Sequence, residues 1–365
     1  MKAICCMFNF PSHYRKNIYK LIESEFNSDF YFGDKPKDKI KMLSFDIFNK
    51  PHVLYRTRKL GWLSWNPDSI KHSFNKSYST YILTGEMSCL STWYTLILNR
   101  MLSKKTYLWS HCWYGDETPV RAFVTKIYLR LASGLFVYGN YAKELLISEG
   151  FKEDVIHVIY NSLDYDEQLK IRKDLKFNNV YNEYFGNDYP VVIFTGRLTL
   201  EKKIDQLIDA HKILLNQGVP FNVLLLGDGE DSQRLKKIVR KADIESFFWF
   251  YGACYDENVI GNLFYNATVC VSPGNVGLTA IHAMSYGCPV IAHSTFNKQG
   301  PEFEAIEPAV TGDFFEKDNV FSLAEKIKYW LAVTNKSEVS ASCFNVIDSK
   351  YNPNNQLEIL KKVIH

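Results

Sequence analysis

The sequence contains no apolar run of the roughly 20 residues needed to span a bilayer. Its first ten residues lack the extended hydrophobic segment and small-residue cleavage site of a secretory signal. The eight cysteines include no CxxC pair and no Cys/His cluster with the spacing of metal ligands. These absences argue against a membrane-spanning chain and a zinc module. We therefore expect a cytoplasmic protein with reduced thiols.

The composition is that of a globular protein, because 23% of the 365 residues are charged and 46% are hydrophobic. Residues 1–188 contain 26 Lys and Arg against 20 Asp and Glu, whereas residues 189–365 contain 17 against 20. The basic first half suits a phosphate-bearing partner or peripheral contact with the anionic inner face of the cell membrane; scattered solvated lysines are the alternative. No motif of a nucleic-acid-binding module is present, so we expect no nucleic acid partner.

Strand-like apolar runs alternate with amphipathic helical segments along the whole chain. Runs such as 191–196 and 221–227 are continuous rather than alternating, which is typical of parallel strands buried on both faces. The pattern predicts an α/β fold with two Rossmann-like, doubly wound parallel-sheet domains and an interdomain cleft. We place the first domain at 1–175 and the second at 189–345. A C-terminal helical segment, 346–365, is expected to pack back on the first domain.

Cations stand where a predicted strand of the second half ends, in TGRLTLEKKIDQL (195–207). Ligands of open α/β sheets bind at the carboxyl ends of strands. Gly196, Arg197 and Lys202 occupy such a position, and fixed cations stabilise a diphosphate leaving group. The alternative is that Arg197 and Lys202 are ordinary surface charges. A cation near a helix N-terminus is unfavourable unless a bound anion compensates for it, which weakens that alternative.

A second cluster, VSPGNVGLTAIHAMSYGCPVIAH (271–293), begins with a glycine-rich turn between a strand and a helix. Backbone N–H groups in such a turn are able to bind an anion, and glycines allow close approach of a ligand.

Together, these two segments resemble the donor-binding domain of glycosyltransferase family 4, which has the GT-B fold. VIYNSLD (158–164), LLLGDGE (224–230) and PEFEAIEPAVTGDFF (301–315) are similar to further family segments. The resemblance implies a retaining transferase that takes a sugar from a nucleotide diphosphate donor, with no cofactor and no metal. It implies catalytic roles for Arg197, Lys202 and His111. The donor-binding residues that it implies are Gly196, Gly229, Tyr251, Gly274, Asn275, Val276, Gly277, Leu278, Thr279, His282 and Glu302.

The second cluster departs from the family pattern at two positions. The family carries glutamates eight positions apart, where this chain has Gly274 and His282. The backbone of the 275–278 turn is expected to replace the first carboxylate. His282 either hydrogen-bonds a ribose hydroxyl or is a buried helix histidine. Glu302 is a second candidate carboxylate.

The first half resembles the family less, and its acceptor-site candidates follow predicted strands. His111 in LWSHCWYGDE (108–117) stands where many family members place a histidine that faces the donor sugar. Glu117 either shapes the acceptor pocket or starts a helix, and Arg15 either meets an acceptor phosphate or lies on the surface. The full set of acceptor candidates is Ser12, His13, Arg15, Glu86 and Glu117.

The expected function is transfer of a sugar to a glycan or lipid-linked acceptor in bacterial surface polysaccharide synthesis, such as capsule, O-antigen or lipopolysaccharide. Two alternatives remain open: a nucleotide-sugar epimerase of the same fold, and a non-catalytic protein that binds nucleotide sugars. Asp164 and Asp166 have the spacing of a metal-binding aspartate pair, but a role in capping a helix is the favoured interpretation. The glycines of 227–229 lack the third glycine of a dinucleotide fingerprint, because position 232 is Ser232.

Overall fold

The computed structural model describes residues 3–34, 42–50 and 52–364. The chain divides into two compact units. The first unit is Met1–Asp164 together with Asn352–His365, and the second unit is Tyr165–Tyr351. Residues 1, 2 and 365, at the ends of the predicted domains, lie outside the described residues.

Strands and helices alternate through most of both units. The strands are β1 (Ala3–Phe8), β2 (Asp29–Gly33), β3 (Val53–Tyr55), β4 (Arg58–Leu60), β5 (Leu63–Trp65), β6 (Tyr78–Thr84), β7 (Lys105–Trp109), β8 (Gly134–Val137), β9 (Ile156–Val158), β10 (Val191–Thr195), β11 (Asn222–Leu226), β12 (Phe248–Gly252), β13 (Val269–Ser272), β14 (Val290–His293) and β15 (Gly312–Phe315). The helices are α1 (Lys16–Phe26), α2 (Leu90–Met101), α3 (Pro119–Arg130), α4 (Asn140–Ser148), α5 (Tyr165–Asp174), α6 (Val180–Phe185), α7 (Ile204–Asn216), α8 (Ser232–Lys241), α9 (Glu257–Asn266), α10 (Thr279–Ser285), α11 (Val320–Leu331), α12 (Lys336–Ser349) and α13 (Pro353–Ile364). Short 3-10 segments lie at His13–Arg15, Phe45–Ile47, Pro67–Phe74, Glu153–Val155, Leu200–Lys202, Glu245–Phe247, Phe296–Lys298 and Pro301–Ala305.

The predicted pair of parallel sheets is confirmed. The first sheet has the order β3-β2-β1-β6-β7-β8-β9, and the second has the order β12-β11-β10-β13-β14-β15. The strand order reverses beside β1 in the first sheet and beside β10 in the second. In doubly wound sheets, the crevice at such a reversal is where ligands bind.

Apolar helix faces cover both sides of the first sheet. Ile18 of α1 and Leu360 of α13 belong to one buried cluster. Leu96 of α2, Leu129 of α3 and Leu146 of α4 belong to another. The helices α2, α3 and α4 therefore lie together on one face of the sheet, and α1 and α13 cover the opposite face.

The second sheet is more completely buried, which explains the continuous apolar runs of its strands. All five residues of β11 are buried, and Val223, Leu224 and Leu225 have no solvent exposure. Strands buried on both faces are mostly apolar along their whole length, so the run from Val223 to Leu226 is continuous.

The domain boundary differs from the predicted one. The sequence ends the first domain at residue 175, but the structure assigns Tyr165 and all of α5 to the second unit. The Tyr165 hydroxyl donates to Asp348 Oδ1 at 3.0 Å, and Arg172 Nη1 lies 2.9 Å from Asp348 Oδ2. The segment 161–189 also contains α6, whose buried Tyr181 donates to the carbonyl of Leu263.

The C-terminal segment also divides differently from the prediction of a single element at 346–365. Residues 346–349 complete α12 in the second unit, and α13 begins at Pro353. Gln356 ties α13 to the first unit, because its Oε1 accepts from Ser162 Oγ at 2.7 Å and its Nε2 donates to the carbonyl of Tyr160.

Candidate active site

The loop after β10 and the loop after β13 meet at the reversal point of the second sheet. Lys202 Nζ donates to the carbonyl oxygen of Asn275 at 2.6 Å, and the N–H of Gly274 donates to the carbonyl of Lys202 at 3.1 Å. The two predicted segments therefore form one cluster, and we call residues 196–203 with 273–278 the paired loops.

Arg197 and Lys202 are close enough to influence each other electrostatically. Burial and the neighbouring Arg197 lower the pKa of Lys202, although Glu201 acts in the opposite direction. Arg197 is exposed, and its side chain forms no hydrogen bond or ion pair with the residues that the structure describes. Two adjacent cations with so little acidic compensation favour the binding of a polyanion.

Gly274 allows the paired loops to touch. A Cβ at this position would lie 2.3 Å from the carbonyl oxygen of Glu201 and 2.9 Å from Cα of Lys202. Both atoms belong to the backbone and have little freedom to move. The glutamate expected from the family pattern is therefore replaced here by a glycine that the packing requires.

The 275–278 turn leaves only part of its backbone available to a ligand. The N–H of Val276 donates to Gln299 Oε1 at 2.8 Å, and Asn275 Nδ2 donates to the carbonyl of Lys298. The N–H groups of Gly277 and Leu278 form no hydrogen bond with the described residues. These two groups are the backbone donors that an anion is able to engage.

Glycines at the ends of β10 and β11 bring a third loop into the cluster. A Cβ on Gly227 would lie 1.9 Å from the carbonyl oxygen of Gly196. A Cβ on Gly229 would lie 2.3 Å from the carbonyl oxygen of Leu198. The GDG segment thus has a packing role beside the paired loops.

His282 belongs to a partly buried network centred on Glu257. His282 Nε2 lies 2.8 Å from Glu257 Oε1, and the Tyr286 hydroxyl donates to the same oxygen at 2.8 Å. Burial raises the pKa of Glu257, but hydrogen bonds from His282, Tyr286 and Gln168 outweigh it and lower the pKa to about 2. A ribose contact by His282 stays a prediction, and in this structure Nε2 is directed at a carboxylate.

The remaining donor candidates lie around the paired loops. Glu302 is 3% exposed, and a Cβ on Gly300 would lie 2.8 Å from both Glu302 Oε2 and Cα of Gly277. Thr279 Oγ1 donates to the carbonyl of Thr195 at 3.4 Å. Tyr251 is half-exposed near the end of β12, with its ring 5.2 Å from that of Trp249.

The first unit contains a separate cavity of about 930 Å³ at the reversal point of its own sheet. The loops after β1, β6 and β7 line it, as the switch-point rule predicts. Arg15, Glu86 and His111 are among its lining residues. Sequence candidates from three distant segments are therefore brought together.

Arg15 is held in an aromatic frame inside this cavity. Its guanidinium carbon lies 5.2 Å from the Trp109 ring centroid and 5.5 Å from that of Tyr138, whose hydroxyl it also contacts. No ion pair joins Arg15 to a carboxylate within the described residues. Burial and Arg15 lower the pKa of His111 to about 4, so this imidazole is neutral near pH 7.

The other acceptor candidates take different positions. Glu86 Oε2 accepts from Asn9 Nδ2 at 3.1 Å within the cavity lining. Glu117 accepts the backbone N–H groups of Tyr114 and Gly115, each at 2.9 Å, and so shapes its own loop. Ser12 lines the cavity, whereas His13 is exposed and is not among its lining residues.

Comparison with known protein families decides the assignment of the second unit. Residues 179–341 match the family model described as Glycosyl transferases group 1. This segment is therefore similar to the group 1 glycosyltransferases. The match agrees with the resemblance to glycosyltransferase family 4, and the paired loops lie within the matched segment.

Similar proteins agree with this assignment. An uncharacterized glycosyltransferase of Methanocaldococcus jannaschii is 29% identical over 167 residues, which are 44% of each chain. The chain thus spans less than half the length of that curated relative. The lipopolysaccharide outer core galactosyltransferase WaaB superposes with a TM-score of 0.72 at 17% identity, covering 99% of each chain. HepE of Anabaena, solved in complex with UDP, superposes at 0.70 and 17% identity over 100% and 99%. These structures confirm the GT-B fold.

The sequence left several neighbours of the candidate site unnoticed. Asn9 and Tyr138 directly follow β1 and β8, so the rule that ligands bind at strand ends would have identified them. Glu257 is the first residue of α9, and the fold brings it into contact with His282 of α10. No local signal in the sequence indicates that contact.

Proposed function

We propose that this protein transfers a sugar from a nucleotide diphosphate donor and that the paired loops bind the donor diphosphate. The observation that carries the proposal is the contact of Lys202 with the Asn275 carbonyl beside Arg197, within the segment that matches the group 1 glycosyltransferases. This arrangement offers two cations and the free N–H groups of Gly277 and Leu278 to one anion.

Charge on the leaving diphosphate grows as the anomeric bond breaks. Cations already fixed near the phosphate oxygens stabilise the transition state more than the ground state. Lys202 is held by a hydrogen bond to the backbone, so its ammonium group does not need to reorganise. We propose that Arg197 and Lys202 supply this stabilisation without a metal or another cofactor.

The proposed stereochemical outcome is retention. The departing phosphate oxygen takes the proton of the acceptor hydroxyl on the face that the diphosphate leaves. This route needs no pair of glycosidase-type carboxylates, which is compatible with Gly274 at the family's first glutamate position. Analysis of the anomeric configuration of the product by NMR tests it, and an inverted product would contradict it.

The cavity of the first unit is the proposed acceptor site. Arg15 provides a partly buried cation and His111 a neutral imidazole, in a lining that also includes Trp109 and Tyr138. A phosphate-bearing acceptor, such as a lipid-linked glycan, complements this cation. We place the reaction in bacterial surface polysaccharide assembly at the inner face of the cell membrane. The similarity to a lipopolysaccharide galactosyltransferase supports this placement.

The decisive experiment removes the two cations by substituting Arg197→Ala and Lys202→Ala, singly and together. Loss of one preorganised donor of this kind costs roughly 10²–10³ in kcat. Turnover is measured by release of nucleoside diphosphate from a panel of nucleotide sugars, and binding by calorimetry with UDP and GDP.

Lys237→Ala provides the matched control, because Lys237 is an exposed lysine of α8 outside the paired loops. It should keep normal donor binding. If the Arg197/Lys202 double variant binds and turns over donor like the Lys237 control, the assignment of the diphosphate site is wrong. Incubation with donor alone, followed by analysis of the sugar, separates transfer from epimerisation.

A further inference from the structure

Helix α2 presents its apolar residues outward. Its exposed residues include Leu90, Tyr94, Ile97 and Met101, which recur at the spacing of one helix face. Its buried residues are mostly polar: Ser91, Thr95 and Asn99 accompany Leu96. A surface helix normally shows the opposite arrangement, with its polar face in water.

Helix α3 has the same character. Val120, Phe123, Val124 and Ile127 are exposed, with Val120 76% and Phe123 66% accessible. These positions follow an i, i+3, i+4, i+7 pattern, and Thr125, Tyr128 and Leu129 occupy the buried side. The helix is therefore apolar on both faces, although one of them is open to solvent.

The two helices and the β4–β5 hairpin form one continuous surface, which we call the α2–α3 face. The rings of Trp93 in α2 and Tyr128 in α3 are 4.8 Å apart. Trp65 of the hairpin meets Tyr94 of α2 at 5.4 Å. The hairpin turn adds Leu60 at 79% exposure and Trp62 at 77%. Exposed apolar patches of this extent in globular proteins mark interaction sites.

The charge on this face has one sign. The hairpin 58–65 and the helices α2 and α3 contain six Lys and Arg and no Asp or Glu. Lys126 is neutralised by Glu149. Arg58, Lys59 and Arg121 are exposed. A surface that joins exposed Leu, Phe and Trp to cations without carboxylates complements an anionic lipid headgroup layer above acyl chains.

We propose that the α2–α3 face docks on an anionic lipid bilayer. The apolar residues of α2, α3 and the hairpin turn enter the headgroup and acyl boundary, and the flanking cations contact lipid phosphates. Trp62 suits this depth, because tryptophan is enriched at membrane interfaces. No helix of the described chain is long and apolar enough to cross a bilayer, so the docking is peripheral.

The position of the cavity relates this docking to catalysis, and this part of the inference rests on the proposed function. Trp62, Val120, Arg121 and Val124 belong to the α2–α3 face and also line the cavity that contains Arg15. A lipid-linked acceptor anchored in the bilayer would therefore reach the cavity directly from the docked surface, with its phosphate close to Arg15.

Vesicle co-sedimentation tests the proposal with the full chain. Vesicles of phosphatidylcholine alone are compared with vesicles that also contain phosphatidylglycerol, over a series of NaCl concentrations. The test variant combines Met101→Glu with Phe123→Glu, two exposed positions outside the cavity lining. The control combines Phe321→Glu with Tyr329→Glu, exposed aromatics of α11.

We expect the wild type and the control to bind anionic vesicles in a salt-sensitive manner, and the test variant to bind roughly tenfold more weakly or worse. The increase in Tm caused by nucleoside diphosphates should be equal in all three proteins. Absence of vesicle binding with that increase intact overturns the docking surface alone. Vesicle binding without any such increase supports the surface and overturns the proposed function. A wild-type dimer that becomes monomeric in the test variant, without vesicle binding, assigns the face to self-association and overturns the proposal.

Discussion

Substitution of Gly274 by alanine tests the packing of the paired loops. The added Cβ would lie 2.3 Å from the carbonyl oxygen of Glu201, whereas a relaxed contact between carbon and oxygen needs about 3.5 Å. The loops must therefore separate by about 1 Å. The hydrogen bond from Lys202 Nζ to the Asn275 carbonyl, now 2.6 Å, would then exceed hydrogen-bonding distance.

The expected loss combines two effects. Overpacking of this kind costs about 1–3 kcal/mol of the free energy of unfolding. The hydrogen bond from a charged ammonium group contributes about 1.5–3 kcal/mol. For a unit of this size, each kcal/mol lowers Tm by about 2–4 °C. Because Lys202 leaves its position, affinity for a nucleoside diphosphate should fall by roughly tenfold or more.

The assay follows Tm by scanning calorimetry with and without UDP and GDP. Gly218→Ala is the matched control, because Gly218 has φ +75° and no other heavy atom within 4 Å of the added Cβ. Left-handed strain at this control position costs about 1–2 kcal/mol and lowers Tm, but the nucleotide-dependent increase should be unchanged. A Gly274→Ala protein with normal Tm and normal nucleotide affinity would refute the reasoning.

Two further predictions concern titrating groups. Glu257→Gln removes a carboxylate whose pKa is held at about 2, below its usual 4.5, because hydrogen bonds from His282, Tyr286 and Gln168 outweigh the opposing effect of burial. The carboxylate's contribution to stability is complete above pH 4.5 and is lost as pH falls towards 2, so the Tm difference from wild type should narrow on acidification; a constant difference would contradict this. The pKa of His111 is lowered from 6.5 to about 4, so the stability conferred by its neutral ring should be lost as pH falls from 6.5 towards 4. An NMR titration of the ring should show a midpoint near 4, and a midpoint near 6.5 would show that burial and Arg15 do not act as described.

The sheets could be predicted because burial on both faces leaves a continuous apolar run. Val223 and Leu225, for example, have no exposure and belong to the apolar core of the second unit. The hairpin at 58–65 could not be predicted in the same way, since its three-residue strands are mostly exposed and carry no periodic signal. The sequence places α5 in the first domain and leaves α6 between the two predicted domains for a related reason: α5 is largely charged, and its few buried residues, including Ile171, do not form a recognisable apolar stripe.

The paired loops were predictable because each follows a strand at a known ligand-binding edge. The sequence therefore indicated that Arg197, Lys202 and the 274–278 turn would converge. The sequence did not indicate that the N–H of Val276 would donate to the side chain of Gln299, because that contact joins loops more than twenty positions apart. The packing of Trp109 and Tyr138 around Arg15 was not predicted either, because Trp109 ends β7 and Tyr138 follows β8, both far from Arg15 in the sequence.

The most direct measurement is a crystal structure of the wild-type protein with a bound nucleoside diphosphate. The diphosphate oxygens should lie within hydrogen-bonding distance of the Arg197 guanidinium, Lys202 Nζ and the N–H groups of Gly277 and Leu278. A diphosphate bound away from these four groups, with Arg197 and Lys202 still turned to solvent, would contradict the account.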